Sequence, residues 1–332
     1  MPIYAPDWLK TQPVDIADLR SYLMKKTTDK AEKKSKSKTT VKKSVKKAAT
    51  EVKAKVAATE AHEQTHTEEL ATSRVLFRNE ATGYTAEVQF VNGKISGPTL
   101  WYDDNRHLME ECTYADGRKE GICKYYYESG QLRQQVCYVA DKCQGEALSY
   151  YPTGELQSKC CFDDDLLDGQ SYFYYKNGQI YEENIYRRNE LDGESKLYYE
   201  DGTPKKVCLF KGGKLNGKYK SYYPSGHLFE ESVYRANKPT GACTLYYENG
   251  KPRKIINFKA GKKHGISQSF YENGQLRYEG NFVDDLAENE HRVFDESGKL
   301  KSRATFKKGV MLSASKPNLS DKFKGFMKKI FS

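Results

Sequence analysis

The 332-residue sequence contains no apolar run of the roughly 20 residues that a helix needs to cross a bilayer. Its first residues, MPIYAPDWLK, do not combine a basic start with an apolar run, so they do not have the pattern of a signal peptide. We therefore expect a cytoplasmic protein, with a peripheral position on the inner face of the membrane as the alternative.

Cysteine and histidine are scarce and scattered. The eight cysteines include no Cys-x-x-Cys pair, which argues against a zinc site and a disulfide framework, and we interpret them as reduced residues that fill small strand positions. The six histidines share no spacing, and the sequence has no phosphate-binding glycine loop and no nucleophile motif. The acidic runs Asp163–Asp165 and Asp284–Asp285 do not alternate as calcium ligands do, and we interpret them as solvated turn carboxylates. The sequence therefore predicts a protein that is not an enzyme and that uses no cofactor or metal.

Positive charge is concentrated at the two ends of the chain. The formal net charge is +10, of which residues 1–72 contribute +5 and residues 307–332 contribute +6, so the part between them is close to neutral. This distribution does not favour a uniformly basic nucleic-acid groove. Nucleic-acid binding through the lysine-rich N-terminal part is therefore the least favoured function.

Two segments precede the aromatic-rich part of the chain. Residues 25–72 are rich in Lys, Ala, Thr and Glu and contain no aromatic residue, so they bury too little apolar surface to order themselves, and we expect a disordered linker. Residues 1–24 place Ile16, Leu19 and Leu23 on one face of a short helix. That helix would either dock to a partner or pack on the rest of the chain.

A strict 24-residue repeat occupies most of the remaining sequence. Numbering each unit from its first glycine as position 0, aromatic residues fill position 5 from Tyr102 to Phe294 and position 17 from Tyr114 to Phe306. Position 11 is Leu, Ile or Pro throughout. A period held without slippage is typical of an array whose units pack on their neighbours. We expect this array over residues 73–310, with position 0 at 97, 121, 145, 169, 193, 217, 241 and 265 and a second glycine at 130, 154, 178, 202, 226, 250, 274 and 298.

Each unit has the pattern of a β-hairpin. Asn-Gly or Ser-Gly separates two short runs rich in Tyr, Phe, Val and Leu, as in YYENG at Tyr246–Gly250, and supplies the positive φ that a tight turn needs. Two glycines in every 24 residues argue against helix. The sequence therefore predicts an all-β fold, an elongated single-layer solenoid of about nine hairpins. Each hairpin consists of a strand, a two-residue turn, a second strand and a polar loop.

The adjacent tyrosines at positions 5 and 6 must point to opposite faces of the sheet. A two-residue turn would place position 6 opposite position 11 and position 0 opposite position 17, which predicts that Tyr175 and Tyr199 lie on the core face. A longer turn with a bulge would shift this register. Position 5 is then expected on the other face, among the position-12 cations Arg133, Lys205, Arg253 and Arg277.

The ends of the array differ from its middle. Position 6 is Asp103 in the first unit and Asp295 in the last, as expected where no neighbouring unit covers the residue. Upstream of the first unit, Phe90 and Gly93 keep the register while the turn glycine is displaced, which is typical of a degenerate cap.

Residues 311–332 predict a linker and a basic amphipathic helix. Ser320 has the place of a helix cap, and Lys324 and Lys328 flank an apolar face, a pattern that suits an anionic membrane surface. Two alternatives stay open: the helix folds back over the edge of the last hairpin, or it inserts into a protein groove. The apolar face consists of Phe323, Phe326, Met327, Ile330 and Phe331.

With GKYKSYYPSGHLFEESVYRANKPTG (Gly217–Gly241) as a representative unit, the sequence resembles the bacterial variant of the MORN repeat over residues 97–306. Many proteins of this type are catalogued as YwqK-type antitoxins, so the resemblance implies an antitoxin or immunity role. MORN arrays elsewhere are linked to membrane tethering and scaffolding. The family designates no catalytic residues.

These observations favour a non-enzymatic protein-binding repeat protein, and the resemblance implies a toxin or effector as the partner that it neutralises. A membrane-surface scaffold that uses the C-terminal helix is the alternative. Tyrosine provides a large contact area at low entropic cost, so the position-5 column is the predicted binding surface. Its members are Tyr126, Tyr150, Tyr174, Tyr198, Tyr222 and Tyr246.

Overall fold

The computed structural model describes residues 72–78 and 83–315, and throughout this part of the chain the regular structure is β-strand. The first twelve strands are β1 (Thr72–Arg78), β2 (Thr85–Val91), β3 (Lys94–Tyr102), β4 (Leu108–Ala115), β5 (Arg118–Lys119), β6 (Gly121–Tyr126), β7 (Leu132–Val139), β8 (Lys142–Tyr150), β9 (Leu156–Asp163), β10 (Leu166–Leu167), β11 (Gly169–Tyr174) and β12 (Ile180–Arg187). The other twelve are β13 (Glu190–Tyr198), β14 (Pro204–Lys211), β15 (Lys214–Tyr222), β16 (Leu228–Arg235), β17 (Lys238–Tyr246), β18 (Pro252–Lys259), β19 (Lys262–Lys263), β20 (Gly265–Phe270), β21 (Leu276–Val283), β22 (Leu286–Phe294), β23 (Leu300–Lys307) and β24 (Val310–Ala314).

All these strands belong to one antiparallel sheet in which each strand pairs with the next along the chain. The short strands β5, β10 and β19 pair with the same neighbours as β6, β11 and β20, so each short strand and its successor form one interrupted strand. The predicted all-β hairpin array is confirmed. The predicted N-terminal segments and the C-terminal helix lie outside the described residues.

The tight turn is not where the Asn-Gly and Ser-Gly pairs predict it. A two-residue turn of type I′ needs positive φ at both residues, and Ala140 and Asp141, which alone separate β7 from β8, have φ of 51° and 73°. At the predicted place, five residues separate β6 from β7, and only Gly130 among them has positive φ. There the N–H of Tyr127 donates to the carbonyl of Gln131 at 2.9 Å. The predicted polar loop is therefore the tight turn, and the predicted turn is the longer loop.

A bulge at the end of the first strand of each unit changes the predicted register. Positions 0 and 17 pair as predicted, for example Gly121 with Tyr138. At the other end of β6, Tyr126 lies opposite Leu132, so position 5 and not position 6 pairs with position 11. Position 12 is the extra residue that the bulge accommodates. The prediction that position 6 pairs with position 11 is therefore wrong, and position 6 begins the five-residue loop.

One face of the sheet, here called the buried face, carries positions 2, 4, 13, 15, 17 and 22. Aromatic residues such as Tyr125 and Tyr138 flank its middle line, and rings fold over small residues there: a Cβ added to Gly280 would clash with the hydroxyl of Tyr278. In the first strand of a unit, the buried aromatic ring therefore stands at position 4, as in Tyr125, whereas the prediction placed it two residues later, at position 6. The small residues of the middle line include Cys123, Val136, Ala147, Cys160, Ser171 and Cys208.

Candidate functional site

The opposite face, here called the exposed face, carries the predicted tyrosine column at position 5. All six tyrosines of the column are half-buried. The hydroxyl of Tyr126 donates to Oε2 of Glu111 at 2.9 Å, and burial together with this carboxylate raises the pKa of Tyr126 to about 12. Burial also raises the pKa of Tyr174 and of Tyr198. The column therefore presents partly covered, uncharged rings.

A column of paired charges runs beside the tyrosines at positions 3 and 14. Nζ of Lys196 at position 3 lies 3.7 Å from Glu183 of position 14 and 2.7 Å from Glu194 of position 1, and Nζ of Lys220 lies 3.3 Å from Glu231. Both signs alternate along the column, so it adds polarity without a strong net field. The same arrangement recurs in the pairs Lys124–Glu111 and Arg292–Glu279, whereas Lys159 of position 14 pairs with Glu146 of position 1.

The position-12 cations do not surround the tyrosine column, contrary to the prediction. Nζ of Lys205 lies 5.3 Å from the ring centroid of Tyr199, and the guanidinium of Arg277 lies 5.3 Å from that of Tyr271, so both cover position-6 rings of their own unit. The bulge turns position 12 toward position 6. Cations are attracted to the faces of such rings.

A row of apolar side chains, which was not predicted from the sequence, follows position 16 of the exposed face, and two isoleucines of position 1 lie on the same face. Leu209 and Val233 are 38% and 41% exposed, and Ile122 and Ile266 are both 52% exposed. The signal was present in the sequence, because position 16 is apolar in five successive units: Cys137, Cys161, Ile185, Leu209 and Val233. The exposed face thus carries paired charges between the tyrosine column and the apolar row at position 16.

The glycine at position 0 makes room for this apolar row. A Cβ at Gly193 would lie 2.8 Å from Cβ of Ile185, and one at Gly217 would lie 2.9 Å from Cδ1 of Leu209. Both glycines also have φ between 130° and 145°, which side chains rarely adopt: 144° and 132°. Conformation and space therefore both require glycine at these two positions.

Position-6 tyrosines fix the backbone of the tyrosine column. The hydroxyl of Tyr151 donates to the carbonyl of Tyr174 at 2.7 Å, and that of Tyr175 donates to the carbonyl of Tyr198 at 2.9 Å. Seven such bonds, here called the tyrosine ladder, join each unit to the following one. In the first and last units Asp103 and Asp295 accept hydrogen bonds within their own loops instead. Asp103 does so although a further unit follows it, so the absence of a neighbour does not explain Asp103.

The opposite ends of the strands carry a second ladder. Oδ1 of Asp165 accepts the N–H of Cys143 at 2.7 Å, and Oδ1 of Asp285 accepts the N–H of Lys263 at 2.8 Å. The acidic runs are therefore structural turn residues and not only solvated carboxylates. Asn189 and Asn237 do the same for Leu167 and Leu215.

The cysteines are not all reduced fillers. Cys112 and Cys123, neighbours across β4 and β6, form a disulfide with a Cα–Cα distance of 4.3 Å, which corrects the expectation for this pair. The six others in the chain are free. Among residues 72–78 and 83–315, no three His, Cys, Asp or Glu side chains come together as a metal site. Over the same residues there is no helix of sufficient length and apolar character to span a bilayer.

The residues predicted to contact a membrane, Phe323 to Phe331 with Lys324 and Lys328, lie outside the described residues, so that prediction stays open. The structure does place all six predicted partner-binding tyrosines on one face.

A family model described as a MORN repeat variant matches the chain eight times, over more than half of its length. The matched residues are 119–140, 144–164, 167–187, 191–211, 215–236, 239–260, 263–284 and 287–308. No curated protein matches the chain.

Three solved structures show weak likeness. Two are the crystal structures of TcdB2-TccC3-Cdc42 and of TcdB2-TccC3 without its hypervariable C-terminal region, each 13% identical, with TM-scores of 0.17 and 0.16 and coverage of 74% and 70% of this chain. The chain spans only 18% and 17% of those proteins. The third is a porin-like protein from Bacteroides uniformis, 8% identical, with a TM-score of 0.15, 74% of this chain covered and 94% of that chain.

Proposed function

Because the chain belongs to the MORN repeat variant family, we propose that its hairpin array is a non-enzymatic protein-binding module whose partner sits on the exposed face. The observation that carries this proposal is the column of six half-buried tyrosines beside a column of paired charges. Partly covered tyrosines lose little entropy when a partner covers them fully.

The composition of the exposed face supports a protein as the ligand. The tyrosine column with the position-11 residues opposite it, and the apolar row at position 16, can desolvate against a partner, while the paired charges between them can select its orientation. A surface repeated every two strands also suits an extended contact in which several equivalent side chains act together.

An antitoxin or immunity protein is the finer form of this proposal. Here the partner is a toxin or effector, and binding covers the surface that the toxin uses. The likeness to the bacterial MORN variant supports this form, and it adds a requirement that the partner be harmful when expressed alone.

The test removes two rings from the tyrosine column of the full chain. The protein is tagged and purified from its native host, and a stoichiometric partner is identified and produced separately. The variant Tyr174→Ala/Tyr198→Ala is expected to lose most of its affinity for that partner, with a melting temperature close to that of the wild type. The matched control, Tyr174→Phe/Tyr198→Phe, keeps the rings and is expected to keep binding.

Equal binding by the alanine variant and the wild type would reject the exposed face as the binding surface. Unfolding of the alanine variant would mean that the rings only stabilise the sheet. The antitoxin form fails separately if expression of the partner alone does not slow growth.

A further inference from the structure

On the buried face, the first unit of the array holds a lysine between a carboxylate and aromatic rings. Oε1 of Glu110 at position 13 lies 2.9 Å from Nζ of Lys119 at position 22, and both side chains are buried. The same oxygen lies 3.1 Å from Sγ of Cys112 at position 15. Nζ of Lys119 also lies 5.3 Å from the ring centroids of Tyr125 and Tyr138. The chain therefore contains its own model of how this face holds an ammonium group.

Glu230 is the position-13 carboxylate of the unit that begins at Gly217, and it is oriented alike. Its Oε1 accepts from Oγ of Ser232, at position 15, at 3.0 Å. Its other donor is the thiol of Cys243, 3.6 Å away, and burial together with Glu230 raises the pKa of this thiol to about 12. Both donors are therefore uncharged, and within the described part of the chain Glu230 forms no ion pair.

Position 22 is where the two units differ. Tyr114 lies opposite Lys119 in the first unit, and Tyr234 lies opposite Pro239 in the later one, so both hairpins place position 22 alike. Proline carries no charge. The carboxylate of the later unit is thus without the cation that the first unit provides.

Two tyrosine rings stand beside Glu230. The ring centroids of Tyr219 and Tyr234 lie 5.7 Å apart. Burial raises the pKa of both hydroxyls, and the negative charge of Glu230 raises each of them further, so both side chains are close to the carboxylate. The faces of such rings attract cations. A carboxylate with two rings beside it therefore favours a cationic ligand.

The buried face is open around Glu230. Between residues 209 and 266, Ser232 is the one residue that the fold covers fully, and Glu230 itself is half-buried. Leu245, which lies opposite Glu230 in β17, and Phe258 are apolar and half-buried as well. A side chain of a second molecule can therefore reach the carboxylate, and the aliphatic stem of a lysine can pack on these apolar neighbours.

A third carboxylate at position 13, that of Glu182, has a more covered environment. It accepts from Nδ2 of Asn184 at 2.8 Å and forms no ion pair within the described residues either. Position 22 of its unit is Leu191, and both Leu191 and Tyr186 are 5% exposed. A buried leucine thus stands where the first unit has its lysine, and a ligand has less access there than at Glu230.

Cations of the chain flank Glu230 without pairing with it. Lys206 and Lys254 occupy position 13 of the preceding and the following unit. Equivalent residues of successive units are two strands apart, about 10 Å. This is roughly a Debye length at physiological salt, so the repulsion between these lysines and a bound cation is largely screened.

We propose that Glu230 binds the ammonium group of a lysine in a basic segment of another protein. The ligand nitrogen lies beside the carboxylate as that of Lys119 lies beside Glu110, in a charge-assisted hydrogen bond. The rings of Tyr219 and Tyr234 are its aromatic neighbours. The proposal goes beyond the exposed-face function: it concerns the opposite face, and either can fail while the other stands.

The test uses the full chain and a fluorescein-labelled peptide of eight lysines, with binding followed by fluorescence anisotropy at constant ionic strength. Glu230→Gln removes the charge and keeps the shape of the side chain, so it should weaken peptide binding by about tenfold or more. The labelled peptide of eight glutamines should not bind the wild type.

Two matched controls make the same change in charge elsewhere. Glu231→Gln alters the next residue, which pairs with Lys220 on the exposed face. Glu182→Gln alters the more covered carboxylate at position 13. Peptide affinity is expected to stay within about twofold of the wild type in both variants.

A further variant supplies the lysine from within the chain. Pro239→Lys places an ammonium group at position 22, where it should pair with Glu230 and weaken peptide binding by about tenfold or more. Its melting temperature should exceed that of Pro239→Gln, which loses the same proline without adding a charge. Pro239→Gln should keep peptide affinity within about twofold of the wild type.

The proposal is overturned if the lysine peptide does not bind, or if either control weakens binding as much as Glu230→Gln, which would indicate general charge attraction. Unchanged binding by Pro239→Lys would show that the ligand does not lie beside Glu230. Displacement of the peptide by spermidine at lower concentrations than by a blocked trilysine, which has the same charge, would make this a site for free polyamines.

One more result would identify the chain's own basic segment as the occupant, and so reject a second protein. It is much tighter peptide binding by a variant in which four lysines of that segment are replaced by glutamine. The four are Lys42, Lys43, Lys46 and Lys47.

Discussion

The hydroxyl of Tyr175 donates a 2.9 Å hydrogen bond to the backbone carbonyl of Tyr198, in the next unit of the array. The carbonyl belongs to a residue of the tyrosine column, so a loop side chain of one unit positions the backbone that carries an exposed-face ring of the next unit. Stability of the array and geometry of its exposed face are linked through this contact.

Loss of the Tyr175 hydroxyl should have a small, measurable effect on stability. Tyr175→Phe removes one hydrogen bond and is expected to lower the free energy of unfolding by about 1 kcal/mol. Tyr175→Ala also removes the ring, which packs 5.2 Å from the ring of Tyr181, and should cost about 3 kcal/mol. Urea denaturation measures both values. Tyr172→Phe is the control, since its hydroxyl bonds only to exposed Gln170, and a near-neutral Tyr175→Ala would contradict the packing role.

Asparagine should be tolerated at one position-0 glycine and not at another. Asn289 already occupies position 0 of the last unit with φ of 64°, and Gly241 has a φ of 71° with no atom within 4 Å of a built Cβ. Gly241→Asn should therefore change stability by less than about 1 kcal/mol. Gly193→Asn meets Ile185 at 2.8 Å and should cost about 2 kcal/mol or more. Equal effects of the two substitutions in thermal denaturation would show that the clash is relieved by movement.

Stability should decrease as the pH falls below about 6.5 because of His291. The ring is buried, its Nδ1 accepts from the hydroxyl of Tyr278 at 2.6 Å, and its Nε2 donates to the carbonyl of Asn281 at 2.9 Å. Burial lowers the pKa of His291, so the unfolded chain takes up a proton before the folded one does. The stabilisation is complete above the unfolded pKa and is lost as the pH falls through the folded pKa.

The measurement is denaturation at a series of pH values from neutral to mildly acidic, for the wild type and His291→Gln. The variant should have a lower stability at neutral pH and a flatter profile in this range. A wild-type profile that is already flat there would show that His291 is protonated at no energetic disadvantage in the fold.

The disulfide between Cys112 and Cys123 should be detectable as missing thiols. Titration of the denatured, unreduced protein is expected to find the six free cysteines, and two more should appear after reduction. A link across this short loop stabilises by about 3 kcal/mol in the chain-entropy view. Reduction should therefore lower the melting temperature of the wild type but not of Cys112→Ser/Cys123→Ser. Eight thiols without reductant would contradict the pairing.

The sequence pattern at the C-terminus predicts weak, salt-sensitive binding to anionic membranes. Each lysine near such a surface contributes about 1 kcal/mol, and a helix of this length is marginal by itself. Co-sedimentation with anionic and neutral vesicles compares the full chain with one that ends at Lys316. The truncated chain should lose anionic binding and keep its melting temperature. Unchanged lipid binding with a lower melting temperature would instead indicate that the helix covers the sheet edge.

The repeat, the hairpins and the pairing of positions 0 and 17 could be predicted because they depend on local composition and on a fixed period. The bulge at position 12 could not be predicted, because it depends on the length of the loop before it. That length depends in turn on which of the two connections in each unit forms the tight turn. Ala140 and Asp141 adopt the two positive φ values without glycine, since the carboxylate of Asp141 accepts the N–H of Lys119 at 2.7 Å. Sequence alone does not display that contact.

The position-5 tyrosines lie on the predicted face of the sheet, because the alternation of side chains along one strand does not depend on the type of turn that follows it. The cations of position 12 were predicted beside these tyrosines, but the bulge directs them to the rings of position 6. The disulfide between Cys112 and Cys123 depends on residues that are brought together across strands.

The tyrosine ladder joins each unit only to the one that follows it, by bonds between residues 23 apart in the chain. Deleting residues 193–216, one whole period, would bring Tyr223 to the same separation from Tyr175 that Tyr199 now has, and every ladder bond would find an equivalent acceptor. The extent of the exposed face therefore depends on the number of repeat units. Recombination between neighbouring 24-residue segments can lengthen or shorten this face in whole steps without altering any contact inside a unit, which under the proposed function would match the protein to partners of different size.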